Sequence, residues 1–203
     1  MNKGKFTGRI IMLTGGVFVI AAVVLTLYNI HLENTAKKLS SEVLSLMDME
    51  DTSINQNYLP DYRVNPDMDM PVRNINGKDF VGTISIPAID MNLPVMAECN
   101  LDNLKISPCV YEGTAYKKDL IIAGHDYRTH FGPINDLIRG DTVIFKDTDG
   151  NVFEYEVMYS EIIDEKDIES MSNGEWDLTL FTCTYSGATR ITVRCRLSNN
   201  KYE

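Results

Sequence analysis

The stretch Trp176-Asp177-Leu178-Thr179-Leu180-Phe181-Thr182-Cys183-Thr184-Tyr185-Ser186-Gly187-Ala188-Thr189-Arg190-Ile191-Thr192-Val193-Arg194-Cys195-Arg196-Leu197 reads as two strands joined by a short turn. Leu178, Leu180 and Thr182 alternate with Thr179, Phe181 and Cys183, an apolar and β-branched run that suits a half-buried strand. Ser186-Gly187-Ala188 interrupts the run. A second strand then sets Ile191, Val193, Cys195 and Leu197 on one face, with Arg190, Arg194 and Arg196 on the other. Hairpin pairing brings Cys183, where the first strand ends, beside Arg190, where the second begins. A permanent cation next to a thiol favours the thiolate and can stabilise an oxyanion. Periodicity alone does not choose among the three arginines; Arg190 is singled out by its place next to the Cys183 end.

A nucleophilic cysteine also needs a proton acceptor, and the chain holds three histidines. His31 follows a hydrophobic N-terminal segment and is poorly placed. His125 ends a buried-strand pattern, Leu120-Ile121-Ile122-Ala123-Gly124-His125, whereas His130 falls in a loop pattern beyond it. A histidine at the end of a rigid strand is the better-positioned base, with His130 as its rival. Each residue has a plainer alternative: a buried thiol for Cys183, a core histidine for His125, a surface arginine for Arg190.

The block Thr179-Leu180-Phe181-Thr182-Cys183, followed by Arg190-Ile191-Thr192-Val193, resembles the TLxTC and Arg-x-x-Val signatures of sortases. The resemblance continues upstream, in the family's order, through Ala123-Gly124-His125, Phe131, Leu137 and Gly140-Asp141-Thr142-Val143. Gly82-Thr83-Ile84-Ser85-Ile86-Pro87, Leu93-Pro94-Val95-Met96 and Ser107-Pro108-Cys109-Val110-Tyr111 belong to it as well. It implies a closed eight-stranded β-barrel and a cysteine transpeptidase with His125, Cys183 and Arg190 as catalytic residues. Thr182 and Tyr185, on either side of the thiol, are expected to contact substrate. Two features bear on subclass: Tyr185 stands where the member specialised for haem-related substrates has an aspartate, and no hydrophobic segment follows Leu197. A second anchor of that kind is common among pilus-building members.

The implied chemistry is acyl transfer. Cys183 attacks a threonine carbonyl in an LPXTG-like sorting signal and forms a thioester, while His125 protonates the departing amine. Arg190 holds the substrate backbone or the oxyanion. The implied partners are secreted proteins with a C-terminal sorting signal, and a peptidoglycan-precursor or pilin amine as acceptor. A hydrolytic cysteine peptidase and a non-catalytic exported barrel that binds a partner are the alternatives.

Composition narrows the field further. The 203 residues carry a formal net charge of −10, which argues against nucleic acid. Ile10 to Tyr28 holds no charge and is long enough to cross a bilayer core of roughly 30 Å. Lys3, Lys5 and Arg9 precede it, so the N-terminus is expected inside and the remainder outside. The segment is read as an uncleaved anchor, because no small-residue cleavage site follows Tyr28. The expected boundaries are a cytoplasmic tail at 1–9, a transmembrane segment at 10–29, a helical stalk and linker at 30–75, and the barrel at 76–203.

In the stalk, Leu32, Ala36, Leu39, Val43 and Leu46 recur at helical spacing and predict one apolar face. Residues 51–75, with Pro60, Pro66 and Pro71, predict a linker or strap, and Asp67-Met68-Asp69-Met70 is a candidate lid. Beyond Asp79 the chain reads as about eight short strands, with helical character limited to Leu101–Ile106, Pro133–Leu137 and Asp164–Met171. Four cysteines lie in the exported part. Cys183 must be free under this reading, Cys195 is expected in the core, and Cys99 with Cys109 is open to pairing. No Cys/His cluster has zinc spacing, so no metal and no cofactor are expected. The acidic run Glu161 to Glu169 is read as a solvated face in preference to a calcium site, because it matches no EF-hand loop.

Overall fold

The computed structural model describes residues 3–50, 61–172, 175–184 and 187–198. The chain divides into two compact units, Met1–Thr35 and Ala36–Glu203.

The first unit is the leading part of helix α1 (Lys3–Glu50). Its large apolar side chains from Ile11 to Leu27 lie open, and the helix is long and apolar enough to cross a membrane. The Thr26 hydroxyl donates to the Ala22 carbonyl and that of Thr35 to His31, both at 2.9 Å. Hydroxyls satisfied within their own helix need no water, which suits an apolar surrounding.

In the second unit the rest of α1 buries Ala36, Ser40, Val43 and Met47. The expected stripe was rotated: Leu39 and Leu46 are exposed, while Ser40 and Met47 are inside. Ser40 tolerates burial because its Oγ donates to the Ile106 carbonyl at 2.9 Å. Val43 and Met47 join a cluster with Phe80, Met96, Ile121, Met171 and Phe181.

The barrel follows α2 (Asp61–Val64). Its strands are β1 (Arg73–Ile75), β2 (Lys78–Ile86), β3 (Met91–Met96), β4 (Cys109–Glu112) and β5 (Leu120–Gly124). Then come β6 (Thr142–Asp147), β7 (Val152–Asp164), β8 (Leu178–Cys183) and β9 (Thr189–Leu197). Helix α3 (Leu101–Leu104) lies between β3 and β4, and α4 (Ile168–Met171) between β7 and β8. The order β1-β2-β3-β4-β5-β8-β9-β7-β6 closes on itself through pairing of β2 with β6. Eight strands therefore form a ring, and β1 is an extra edge. Leu178, Leu180, Val193 and Cys195 point into its apolar interior beside Phe145, Tyr155 and Leu120.

Several elements depart from the sequence reading. Within 61–75, where a linker was expected, the chain forms α2 and β1. Asn76 and Gly77 both take positive φ (52° and 78°) and turn β1 into β2, the conformation that favours Asn-Gly in two-residue hairpins. Pro94 sits inside β3. Beyond β3 the ladder toward β4 is a single pair, Met96 with Cys109, so a missing N–H forfeits little. Strand β7 runs on to Asp164, and its acidic end pairs with the start of β9. The proposed lid residues lie elsewhere: Met70 is buried in the barrel core with Met68 packed against it, and Asp67 pairs with Lys117 at 3.3 Å. Tyr62 stacks on Tyr116, ring centroids 4.6 Å apart. Tyr116 and Lys117 precede β5, whereas Cys183 ends the parallel strand β8, so this strap covers the opposite end of the barrel.

Cys99 and Cys109 form a disulfide across ten residues and tie the α3 loop to β4. Replacing half-buried Cys99 with alanine is expected to lower unfolding stability by about 3 kcal/mol through loop-closure entropy. A urea midpoint equal to that of the parent protein would show that the bridge adds nothing.

Candidate functional site

Strand register positions the site. Parallel pairing of β5 with β8 sets Gly124 against Thr182, so the next residues, His125 and Cys183, leave neighbouring strands at the same end. Antiparallel pairing of β8 with β9 sets Cys183 against Arg190. The expected trio therefore gathers at one barrel end, on three adjacent strands. Cys183 is an exposed free thiol.

The loop carrying His125 is locally pinned. Phe131 N–H donates to the His125 carbonyl at 3.1 Å, and the amides of His130 and Gly132 both donate to Tyr127. A Cβ on Gly124 would overlap the fully buried Phe131 ring, so glycine is required just before the histidine. The His125 ring stacks on Tyr127 at 3.9 Å, and its Nδ1 is buried with no partner among the described residues. Burial pushes its pKa below the ordinary 6.5; Asp126 opposes that shift and Lys105 adds to it.

Arg190 is anchored at the turn. Its Nη1 donates to the Gly187 carbonyl at 2.9 Å and the Thr189 carbonyl at 3.2 Å, and its Nη2 lies 3.9 Å from Glu165. The other two arginines of the strand have separate duties. Arg196 lies 4.5 Å above the Trp176 ring and 4.0 Å from Asp177. Arg194, 1% exposed, bonds Glu161, Thr179 and two backbone carbonyls. Alternation thus left three candidates, and their partners separate them.

Cys183 and Arg190 line a groove of about 400 Å³. Leu101 and Leu104 of α3 and Ile168 and Met171 of α4 line it, together with Tyr111, Ala123 and Phe181 on the neighbouring strands β4, β5 and β8. Tyr111 and Phe181 meet edge to face at 5.2 Å. Asp164, Glu165 and Asp167 add negative charge at the margin. His125 is not among the lining residues. A peptide could lie against this apolar surface with its carbonyl at the sulfur, beside the guanidinium.

Two expectations need correction or fall away. Thr182 is completely buried on the interior face, opposite Cys183, so its side chain does not reach the groove for the expected substrate contact. Tyr185 lies outside the described residues. In the acidic run, Glu161 pairs with Arg194, and Asp164 and Asp167 accept from the amides of Lys166 and Ser170. Among the described residues no group of three or more His, Cys, Asp or Glu converges to hold a metal. Cys195 is fully buried, and burial pushes its thiol up.

The rival base, His130, is fully buried, and burial, reinforced by the charge of His125, pushes it down to about 4. The unfolded chain takes up a proton below 6.5 that the folded chain refuses, so stability falls as pH drops. From above pH 6.5 to about 4 the loss is on the order of 3 kcal/mol. His130→Gln is expected to flatten urea midpoints over that window relative to the parent protein. Parallel profiles would contradict the assignment.

An exposed thiol opposite an arginine, with a histidine closing the adjacent strand, thus marks one end of a closed barrel. The Sortase domain family model matches residues 84–198, more than half the chain. Sortase A of Listeria monocytogenes is 31% identical over 116 residues, which is 54% of this chain and 52% of that protein. The chain spans about half the length of the curated relatives it matches. Sortase A from Corynebacterium diphtheriae superposes with a TM-score of 0.56 at 20% identity, covering 80% of this chain and 86% of that one. The Clostridium perfringens Sortase D5 transpeptidase gives 0.56 at 22% identity, covering 82% and 99%. These two structures speak to the fold. The chain belongs to the sortase family.

Proposed function

We propose that this protein is a membrane-anchored cysteine transpeptidase. It cleaves an LPXTG-like sorting signal after threonine and transfers the acyl group to a cell-wall amine, from a peptidoglycan precursor or a pilin. The observation that carries this reading is the pairing of Cys183 with Arg190, both lining one largely apolar groove of about 400 Å³. His125, at the same end of the neighbouring strand, supplies the proton acceptor.

In this reading the thiol proton passes to neutral His125 as sulfur adds to the threonine carbonyl. The imidazolium then gives that proton to the leaving amine, and a thioester remains on Cys183. Arg190, already fixed by two turn carbonyls, faces the oxygen that gains charge. The acceptor amine attacks the thioester, loses its proton to His125, and frees the thiol. Tyr185 keeps its proposed role as a substrate contact. Helix α1 supports a single-pass anchor, with the cationic N-terminus in the cytoplasm and the barrel outside.

The test uses the full chain in detergent with a sorting-signal peptide, with and without an oligoglycine or diaminopimelate-type amine. The expected product with amine is the conjugate. Free acid under both conditions would make the protein a hydrolase, and no cleavage would leave it a binding barrel.

A further inference from the structure

Strand β9 carries a second arginine on the same face as Arg190, four positions further along. Arg194 is 1% exposed, and charged residues are rarely buried without several partners. Its Nε donates to Glu161 Oε1 at 2.7 Å. Its Nη1 donates to the Met171 carbonyl at 3.1 Å and to Thr179 Oγ1 at 3.0 Å, and its Nη2 donates to the Ser170 carbonyl. Two of these four acceptors are carbonyls at the C-terminal end of α4, where a cation also suits the helix dipole. Thr179 is its cross-strand partner on β8, and Glu161 comes from β7. One guanidinium thus fastens α4 to the strands on both sides of β9.

That helix matters because Ile168 and Met171 line the groove. It is a single turn, capped at its start only by Asp167, and one turn is too short to hold itself. The α3 part of the lining has its own tether in the Cys99–Cys109 bridge. We propose that Arg194 is a positioning residue: it holds the α4 part of the lining in the place that a peptide requires, and so governs substrate affinity without entering the chemistry. This rests on the reading of the groove as the peptide site. The planar fork, not the charge, is the working feature, since four acceptors in three directions cannot all be met by an ammonium.

The variants are Arg194→Lys, which keeps the charge, and Glu161→Gln, which leaves the carbonyl bonds in place. Arg194→Lys in the full chain is expected to raise KM for the sorting-signal peptide on the order of tenfold while kcat stays within about twofold. Glu161→Gln is expected to have a smaller effect in the same direction. Amide exchange supplies a readout independent of turnover. The amides of Met171 and Ser172, which bond Asp167 and Ile168 carbonyls, are expected to exchange faster in Arg194→Lys, with Leu180 and Val193 unchanged. A drop in kcat at constant KM, or faster exchange spread evenly over the barrel, would overturn the positioning role. Unchanged exchange at Met171 and Ser172 would overturn the anchoring itself. Absence of peptide turnover by the parent protein would overturn the transpeptidase reading and with it the affinity role, while the exchange pattern would still decide the anchoring.

Discussion

Cys183→Ala is expected to lower peptide cleavage and amine transfer by on the order of ten-thousandfold or more, as removal of a nucleophile does. Stability is expected to change by no more than about 0.5 kcal/mol, because Cys183 is exposed at a strand end and supports no core packing. The contrast with Cys195 makes the prediction sharp. That thiol is fully buried in the barrel core, so its removal should act on folding and leave a surviving enzyme active. Activity assays and urea midpoints on the two alanine variants check both halves. An active Cys183→Ala protein would refute thiol catalysis.

The second large effect is at His125. His125→Ala is expected to cut turnover roughly a hundred- to ten-thousandfold, the usual range for a general acid–base group. The acidic limb of kcat/KM should follow His125, because a protonated imidazole cannot take the thiol proton. Burial holds its pKa below 6.5, so activity should persist below the ordinary histidine range. Its neighbours set the direction of further shifts. Lys105 depresses the His125 pKa, so Lys105→Ala should move the limb to higher pH. Asp126 raises it, so Asp126→Asn should move the limb to lower pH. A limb unmoved by both substitutions would point to another titrating group.

The Cys183–Arg190 pair was legible in the sequence because strand alternation is local and the hairpin from Leu178 to Leu197 fixes its own register, whereas the place of His125 beside it depends on the long-range pairing of β5 with β8. Closure of the barrel was legible only as a class. The pairing of β2 with β6 joins segments that alternation does not connect, and neither the strand pattern nor the resemblance named it. The Asn76-Gly77 turn was an available signal for β1 that proline content in the preceding residues obscured. Thr182 was misread because the signature places it next to the thiol, whereas period-two geometry turns it into the barrel.

Arg194 shows where sequence reasoning stops. Its alternation with Arg190 and Arg196 suggested three equivalent arginines on one face. Its burial depends on Glu161 and on two α4 carbonyls, acceptors more than twenty residues away that only the folded chain brings near. The stalk face failed for a related reason. Ser40 reads as polar, yet the Ile106 carbonyl opposite it makes burial acceptable and rotates the helix off Leu39.

The most direct test of the central claim is mass spectrometry of the full chain, acid-quenched during turnover of a sorting-signal peptide. The predicted result is an acyl adduct ending in threonine, mapped to Cys183, that an added amine discharges. Peptide cleavage with no adduct on Cys183, or with the adduct on another residue, would contradict it.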